Sequence, residues 1–116
     1  MTPMEIVKSV VSVLDEKQAR DIQVLQIEEL TTLADYFIIC SGTSNTHIRT
    51  LTDHIERVMD EQGVPPHHTE GHRSGTWVLM DYLSVVVHVF TEEARKVYQL
   101  DRVWADAKPI NMDDLK

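Results

Sequence analysis

The residues that first suggest chemistry are Gly42, Thr43 and Ser44, which follow an apolar run and precede a helix-like pattern. Backbone N–H groups at the start of a helix form an anion site, so this turn could hold a phosphate group. A P-loop would also need a lysine after the glycine, and nucleotidyl transfer would need paired carboxylates for magnesium. No such lysine follows, and the carboxylates of Asp35 and Asp81 are scattered along the sequence. We therefore interpret the turn as a helix cap and keep a nucleotide-binding enzyme as the alternative.

Histidines supply the other candidate chemistry. His67, His68 and His72 flank Glu70, and neutral imidazoles with a carboxylate could bind zinc. Their spacing matches no helical pair of ligands and no cysteine joins them, so a solvated loop explains them better. His88 lies within an apolar run, where a core histidine that is hydrogen-bonded to a neighbour is the simpler interpretation. The sequence therefore predicts no metal site and no cofactor.

Neither possible nucleophile has an activating sequence context. Cys40 has no basic neighbour, and Ser41 lacks the glycines of a nucleophile elbow. As the single cysteine, Cys40 cannot form an internal disulfide, which indicates a reducing compartment. A hydrolase therefore has no support in the sequence beyond the presence of histidines.

Length and charge restrict the class of protein further. The chain has 116 residues, of which 42% are hydrophobic, which suits one domain with a single core. Its 11 basic and 19 acidic residues give a net charge of −8, which argues against docking on DNA and favours a basic protein as partner. No apolar run approaches the roughly 20 residues that span a bilayer. No targeting segment is evident before Lys8, so we predict a cytoplasmic protein.

The N-terminal residues predict a helix followed by a strand. Thr2 and Glu5 have the spacing of a capping box, and Pro3 suits the first helical position, where no N–H is needed. The apolar residues that recur at spacings of three and four are Met4, Val7, Val11 and Leu14. Residues 22–27 alternate in part, which predicts a strand with one better-buried face.

Residues 34–49 form the clearest joint between a strand and a helix. The continuous apolar run at 35–41 predicts an interior strand that is covered on both faces. The apolar face of the following helix consists of Ile48, Leu51, Ile55, Val58 and Met59. Gly63 can take the left-handed conformation that ends this helix, and Pro65 and Pro66 prevent its continuation.

The next part of the chain predicts a long connection and a β-hairpin. Residues 63–76 are long for a connection in so small a domain, so the segment is either functional or loosely ordered. Residues 77–82 and 85–90 are strand-like runs with a short separation, which indicates a hairpin. The second run is nearly all apolar, so we expect it inside the sheet. In the first run the side chains should alternate, with Trp77, Leu79 and Asp81 on one face of the strand and Val78, Met80 and Tyr82 on the other.

A final helix is predicted after the hairpin. Thr91 is its candidate N-cap, and Glu92 and Glu93 complement the positive helix end. Its expected apolar face consists of Ala94, Val97, Tyr98, Leu100 and Trp104. Pro109 interrupts the pattern. We therefore expect one domain over residues 1–105 and a loosely ordered C-terminal tail over residues 106–116.

Two blocks of residues follow one another in a specific order and spacing. The first runs from Asp35 to Ser44 and continues with His47, Asp53, His54 and Ile55. The second consists of Glu70, Gly71, Trp77, Asp81, Val86, Val87, His88, Val89, Glu93, Arg95, Tyr98, Leu100 and Trp104. Together they resemble the ribosomal silencing factor family, RsfS or Iojap, over nearly the whole chain. The chain departs from that pattern in having His67-His68, and in having Leu83-Ser84 where the family often has Gly-Asp.

The resemblance implies a function as well as a fold. It implies a single α/β (α+β) domain of nucleotidyltransferase-like topology, with a mixed sheet of about four to five strands, about three helices and no established catalysis. Family members bind ribosomal protein fourteen of the large subunit and block subunit joining, so translation falls when nutrients are short. They also form homodimers. The acidic composition independently suits a basic ribosomal protein, with rRNA contact at most peripheral.

A folded monomer of this size cannot easily bury large side chains on both faces of its sheet. Because of this, such side chains are our candidates for partner binding. These candidates are Trp77, Leu79, Asp81, His88, Arg95 and Tyr98. Trp77 leads, because interface energy concentrates in a few Trp, Tyr and Arg residues. The competing interpretation is core packing, which is the stronger one for Tyr98 and Trp104 on their predicted helix face.

Two other classes of protein stay open at this point. One is a nucleotide-binding or nucleotidyltransferase-like enzyme that uses the Gly42 turn, and calorimetry with nucleotides would test it. The other is a dimeric scaffold without ribosome contact. Co-sedimentation with purified large subunits separates that scaffold from a silencing factor.

Overall fold

A computed structural model describes residues 1–115, apart from the side chains of residues 101 and 103. The helices are α1 (Pro3–Glu16), α2 (Asn45–Glu61), α3 (Glu92–Tyr98) and α4 (Leu100–Val103), and a 3₁₀ turn spans Met112–Leu115. The strands are β1 (Arg20–Gln26), β2 (Tyr36–Gly42), β3 (His68–Glu70), β4 (Trp77–Asp81), β5 (Val85–Thr91) and β6 (Lys108–Pro109). None of the helices in this described part is both long and apolar enough to cross a membrane.

The strands form one mixed sheet in the order β3-β4-β5-β2-β1-β6. The central strands β2 and β5 run parallel, and the other neighbouring pairs are antiparallel. The predicted α+β class with a mixed sheet is confirmed, but the sheet has six strands where the sequence predicted about four to five. The additional strands β3 and β6 are short and exposed, so neither produces an apolar pattern in the sequence.

Local signals set the helix ends where the sequence predicted them. The Oγ1 of Thr2 accepts a hydrogen bond from the Glu5 N–H, and Glu5 Oε1 accepts one from the Thr2 N–H, which completes a capping box. At the end of α2, Gly63 has a left-handed φ of 77°, and the Val64 N–H donates to the Met59 carbonyl oxygen at 2.9 Å. That bond is the long one of a Schellman motif, so Gly63 ends α2 by conformation as well as by sequence pattern.

Both long helices pack on the same face of the sheet. Their apolar stripes cover alternate residues of the central strands, and this part of the core is closed to solvent. The helix residues that are buried here include Val7, Val10, Leu14, Ile48, Leu51, Ile55 and Met59. The strand residues opposite them include Val24, Ile38, Cys40, Val78, Met80, Val87 and Val89. The predicted stripes of the first two helices are therefore confirmed.

The opposite face of the sheet carries a second, smaller core. Its buried residues include Leu25, Ile27, Phe37, Ile39, Val86 and Phe90. Trp77, Leu79, Leu100 and Trp104 pack against them and stay partly exposed. The alternation predicted for the hairpin is confirmed, because Trp77 and Leu79 face this side and Val78 and Met80 face the long helices. Among the described residues, this face is covered by the short helices α3 and α4 and by the connections that contain Ala34 and Ala107.

The prediction of a single final helix is wrong. Gln99 has a left-handed φ of 48°, and it ends α3 after Tyr98 and starts α4 at Leu100. Part of the expected apolar face is in solvent, since Val97 is 77% exposed and Tyr98 is 51% exposed. Leu100 still packs against the second core, as does Trp104. Nothing in the sequence marks this break, because neither glycine nor proline stands at residue 99.

The segment after residue 105, expected to be a loosely ordered tail, instead completes the fold as far as residue 115; residue 116 lies outside the described residues. β6 pairs with β1, and the Ile110 N–H donates to the Val24 carbonyl oxygen at 2.8 Å. Pro109 can lie in a strand because β6 is at the sheet edge, where no N–H is required. Leu115 is 8% exposed and packs in the core beneath α1.

Replacing Leu115 tests this role of the C-terminal segment. We expect Leu115→Ala to lower the free energy of unfolding by about 2 kcal/mol or more, because it removes a buried side chain from the first core. Asp114→Ala is the control, since Asp114 is exposed on the same turn. Urea unfolding of both variants measures the difference. Equal stability of the two variants would show that the segment does not contribute to the core.

Candidate functional site

The turn after β2, which sequence analysis considered as a phosphate cradle, is filled by the chain's own side chains. The Thr43 N–H donates to His47 Nδ1 at 2.9 Å, and the His47 N–H donates to Ser44 Oγ at 3.1 Å. A Cβ at Gly42 would lie 2.8 Å from Cγ1 of Ile48, so packing alone requires glycine there. Two N–H groups that a phosphate would use are therefore already satisfied.

His47 also connects this turn to the end of α1. Its Nε2 lies 2.9 Å from the Lys17 carbonyl oxygen. Because Nδ1 accepts from the Thr43 N–H, the neutral ring carries its proton on Nε2, which donates to Lys17. The histidine is thus a structural link between two helices. The prediction that this turn caps a helix is confirmed, and the N-cap residue is Ser44.

The possible nucleophiles and metal ligands do not form a reactive site. Cys40 is fully buried, and burial raises the pKa of its thiol to about 12. His68 is paired with Glu70, while His72 lies 3.0 Å from Asp53 on α2, so the histidines are drawn to different partners. Among the side chains that the structure describes, no three from His, Cys, Asp or Glu are grouped so that they could hold a metal ion.

The structure brings three of the six candidate residues together on the thinly covered face of the sheet. The Tyr98 ring lies over Trp77, with ring centroids 4.6 Å apart, and Trp77 stacks on Phe90 at 4.9 Å. Leu79 lies two residues further along β4, on the same face. Val97, which precedes Tyr98 on α3, is also exposed. We call Trp77, Leu79, Val97 and Tyr98 the aromatic patch.

His88 supports the aromatic patch from below and does not reach its surface. It is 4% exposed, and the Trp77 Nε1–H donates to its Nδ1 at 3.2 Å. Phe37 packs on the ring edge with centroids 4.9 Å apart. Burial lowers the pKa of His88 to about 4, so the ring is neutral at pH 7 and carries its proton on Nε2. That Nε2 is buried and has no hydrogen-bond partner among the described residues.

The prediction that His88 contacts a partner therefore needs correction, whereas the prediction of a core histidine hydrogen-bonded to a neighbour is confirmed. A side chain this deeply buried cannot touch a docked protein directly. Its neutral ring can accept from the Trp77 indole and hold that side chain in one orientation, which makes His88 a positioning residue.

Arg95 and Asp81 both make bonds within the fold. The Nη1 of Arg95 donates to the Asp21 carbonyl oxygen at 2.7 Å and to Ser41 Oγ at 3.0 Å, so it ties α3 to β1 and β2. The Oδ1 of Asp81 accepts from the Leu83 N–H at 2.7 Å in the hairpin turn. Leu83 has a φ of 70°, the left-handed conformation for which a glycine would be better suited.

Sequence reasoning missed Val97 as a surface residue, because its spacing placed it on the inner face of one continuous helix. In the structure it lies in the last turn of the short helix α3 and is 77% exposed. Phe90 was recognised only as part of an apolar strand, although it is the base on which Trp77 stacks. Alternation along β4 and β5 could have found it, since cross-strand neighbours share a face and Trp77 pairs with Phe90.

Comparison with known proteins places this architecture in one family. The sequence model described as "RsfS: Ribosomal silencing factor during starvation" matches residues 1–116. The ribosomal silencing factor RsfS of Bacillus subtilis is 36% identical over 113 residues, which cover 97% of this chain and 96% of that protein. A crystal structure of a Chromobacterium violaceum protein matches with a TM-score of 0.88 and 34% identity, covering 90% of this chain and 88% of the other.

A more distant relative shows that the domain also occurs within longer proteins. The mouse protein named "Mitochondrial assembly of ribosomal large subunit protein 1" is 32% identical over 97 residues, which cover 81% of this chain and 42% of that protein. The aligned domain and its fold are thus those of a regulatory, ribosome-related group of proteins. The chain belongs to the ribosomal silencing factor family, RsfS.

Removing the His47 ring tests whether the Gly42 turn is a structural joint. We expect His47→Ala to lower the free energy of unfolding by about 1–3 kcal/mol, because it leaves the Thr43 N–H and the Lys17 carbonyl oxygen without this partner. His54→Ala is the matched control on the same helix, since His54 bonds only the exposed Arg57 side chain among the described contacts. Its expected effect is within about 0.5 kcal/mol. Similar losses for the two variants in urea unfolding would contradict the assignment.

Acid stability tests the buried, neutral state of His88. Its folded-state pKa of about 4 lies below the ordinary 6.5, so its contribution is fully present above pH 6.5 and is lost as pH falls towards 4. We expect this group alone to reduce the free energy of unfolding by about 3 kcal/mol between pH 8 and pH 4.

The control for the pH experiment is His88→Gln, which keeps an acceptor for the Trp77 indole but does not titrate. Between pH 8 and pH 4, the unfolding free energy of His88→Gln should fall by about 3 kcal/mol less than that of the unchanged protein. Parallel pH profiles of the two proteins, measured by chemical denaturation, would show that His88 titrates at its ordinary pKa.

Proposed function

We propose that this protein binds the large ribosomal subunit through ribosomal protein fourteen and sterically blocks its association with the small subunit. Translation would then fall when nutrients are limiting, as the family description "during starvation" suggests. The name of the mouse relative also refers to the large ribosomal subunit. The observation that carries the proposal is the aromatic patch, which a monomeric domain of this family leaves open to solvent.

The composition of the aromatic patch is that of a binding surface. Val97 and Tyr98 are mostly exposed, and Trp77 and Leu79 are partly exposed. Large apolar side chains of this kind are ordinarily buried in a folded protein. Trp and Tyr dominate binding energy at protein interfaces, because they bury large areas with little loss of rotamer freedom. Trp77 is also oriented in advance by Phe90 and His88, which reduces the entropy lost on docking.

Acidic side chains lie around the apolar centre of this surface. Glu70 on β3 pairs in register with Leu79, so the exposed carboxylate shares the face of the aromatic patch. Asp81 follows at the hairpin end of β4, where it is partly exposed. An apolar centre with an acidic rim suits a basic ribosomal protein, because complementary charge speeds encounter and fixes orientation. The net charge of −8 extends this preference to the whole chain and limits contact with rRNA.

The proposed mechanism requires no chemical step. A domain that occupies the face of the large subunit where the small subunit docks excludes it by volume. The extent of inhibition then depends on concentration and affinity alone. This mechanism agrees with a buried Cys40, and with a Gly42 turn filled by His47. The nucleotide-binding alternative loses its main support for the same reason.

We also propose that the protein forms a homodimer through a surface that overlaps the aromatic patch, and that it acts in the cytoplasm. A self-complementary apolar patch is typical of isologous dimers. Dimer formation would hide the patch and so compete with docking on the ribosome. A dimeric scaffold that never contacts ribosomes remains the competing hypothesis, and sedimentation separates the two.

Tyr98→Ala is the sharpest test of the aromatic patch. Because Tyr98 is 51% exposed, we expect its loss to change the free energy of unfolding by less than about 1 kcal/mol. The affinity of the Tyr98→Ala variant for purified large subunits should be lower by about tenfold or more, since an aromatic anchor typically contributes about 2 kcal/mol. Co-sedimentation at moderate salt measures binding, and sedimentation velocity of the free protein shows whether dimerisation weakens in parallel.

Leu33→Ala is the matched control for this experiment. Leu33 is 73% exposed and lies in the loop between β1 and β2, outside the four residues of the aromatic patch. It should bind large subunits as the unchanged protein does. Trp77→Ala should lose both binding and stability, because Trp77 is partly buried and bonded to His88. If Tyr98→Ala pelleted with large subunits as well as Leu33→Ala did, the aromatic patch would not be the docking surface.

A further inference from the structure

A cleft on the other side of α3 has no role in the proposed docking. It measures about 750 Å³ and lies between α3 and the strand ends of β1 and β2. Ser41, the second-last residue of β2, forms part of its floor. Volumes in this range are typical of sites for small molecules. The cleft also lies beyond the carboxyl ends of the parallel strands β2 and β5, which is where α/β sheets commonly bind ligands.

The charge of the cleft is opposite to that of the chain. Its lining includes Arg20, Arg95, Lys96 and Arg102, four of the 11 lysines and arginines in a protein with a net charge of −8. Two carboxylates also line it, Asp21 and Glu92, so the four cations leave a formal charge of +2, and Glu92 is already paired with Arg20 at 3.0 Å. Cations gathered in one concave place in an acidic protein lower the energy of a bound anion.

Arg95 makes the base of the cleft rigid. Its Nη1 is held by the Asp21 carbonyl oxygen at 2.7 Å and by Ser41 Oγ at 3.0 Å. Lys96 and Arg102 are exposed at the edges of the cleft, where Arg102 donates to the side chain of Gln99 at 3.0 Å. The lining therefore combines one fixed guanidinium with side chains that can close over a ligand.

We propose that this cleft binds the phosphate groups of a small phosphorylated molecule of nucleotide size. Arginine suits this ligand because its planar fork matches phosphate oxygens, and lysine adds a point charge. The concave shape and limited volume favour a small molecule over an RNA backbone, which needs an extended basic surface. The site differs from the Gly42 turn, whose donors are satisfied by His47 and Ser44.

The test uses the full chain and inorganic tripolyphosphate, ATP and GTP as probes, at constant ionic strength. Isothermal titration calorimetry should show saturable binding of at least one of the three. The double variant Lys96→Glu/Arg102→Glu should weaken that binding by about tenfold or more, because two charge-assisted contacts become repulsive. Binding of tripolyphosphate alone shows that phosphate is sufficient, whereas stronger nucleotide binding shows that the base contributes.

The matched control is Lys8→Glu/Arg73→Glu, which changes the net charge equally at exposed positions outside the cleft lining. This control should bind the probes as the unchanged protein does, and circular dichroism verifies that both variants fold. Absence of saturable binding, or equal losses in the two double variants, would overturn the proposal. It would also fail if a single-stranded RNA oligonucleotide bound at the cleft but none of the three small probes did.

Discussion

The central strands β2 and β5 are buried along almost their whole length, yet both long helices pack on only one face of the sheet. This constraint determines the rest of the structure. The opposite face must be covered by short helices and side chains. Large side chains suit this purpose because each one shields more of the sheet from solvent. Trp77, Phe90 and Tyr98 form a stacked series over that face, and the last of them is half in solvent. The aromatic patch is thus a consequence of incomplete coverage.

The aromatic patch depends on a buried polar group that the apolar environment keeps neutral. A charged His88 would lack solvation in this core, and its Nδ1 would no longer accept from the Trp77 indole. One hydrogen bond at 3.2 Å therefore links the charge state of an interior residue to the orientation of a surface tryptophan. An apolar side chain at position 88 could have filled the same volume, but it would have left the Trp77 indole N–H without this acceptor.

Sequence patterns predicted those parts of the fold that local physics determines. The capping box at Thr2, the Schellman end at Gly63 and the alternation of Trp77 against Val78 depend on nearby residues, and each is confirmed. The break at Gln99 could not be predicted, because tertiary packing imposes a left-handed conformation on a residue without special propensity. The candidate site shows the same difference, because Trp77 was identified from its residue type, whereas the exposure of Val97 was visible only in the structure.

That break has a consequence for α3 itself. Tyr98 contacts Trp77 and Phe90 on one side of this short helix, while Arg95 bonds β1 and β2 on the other. Glu92 and Lys96 line the cationic cleft on the Arg95 side. A helix of seven residues, ended by Gln99, has little stability of its own and takes its position from these contacts. Because Arg95 and Tyr98 lie on this one helix, the cleft and the aromatic patch share α3 as a common element.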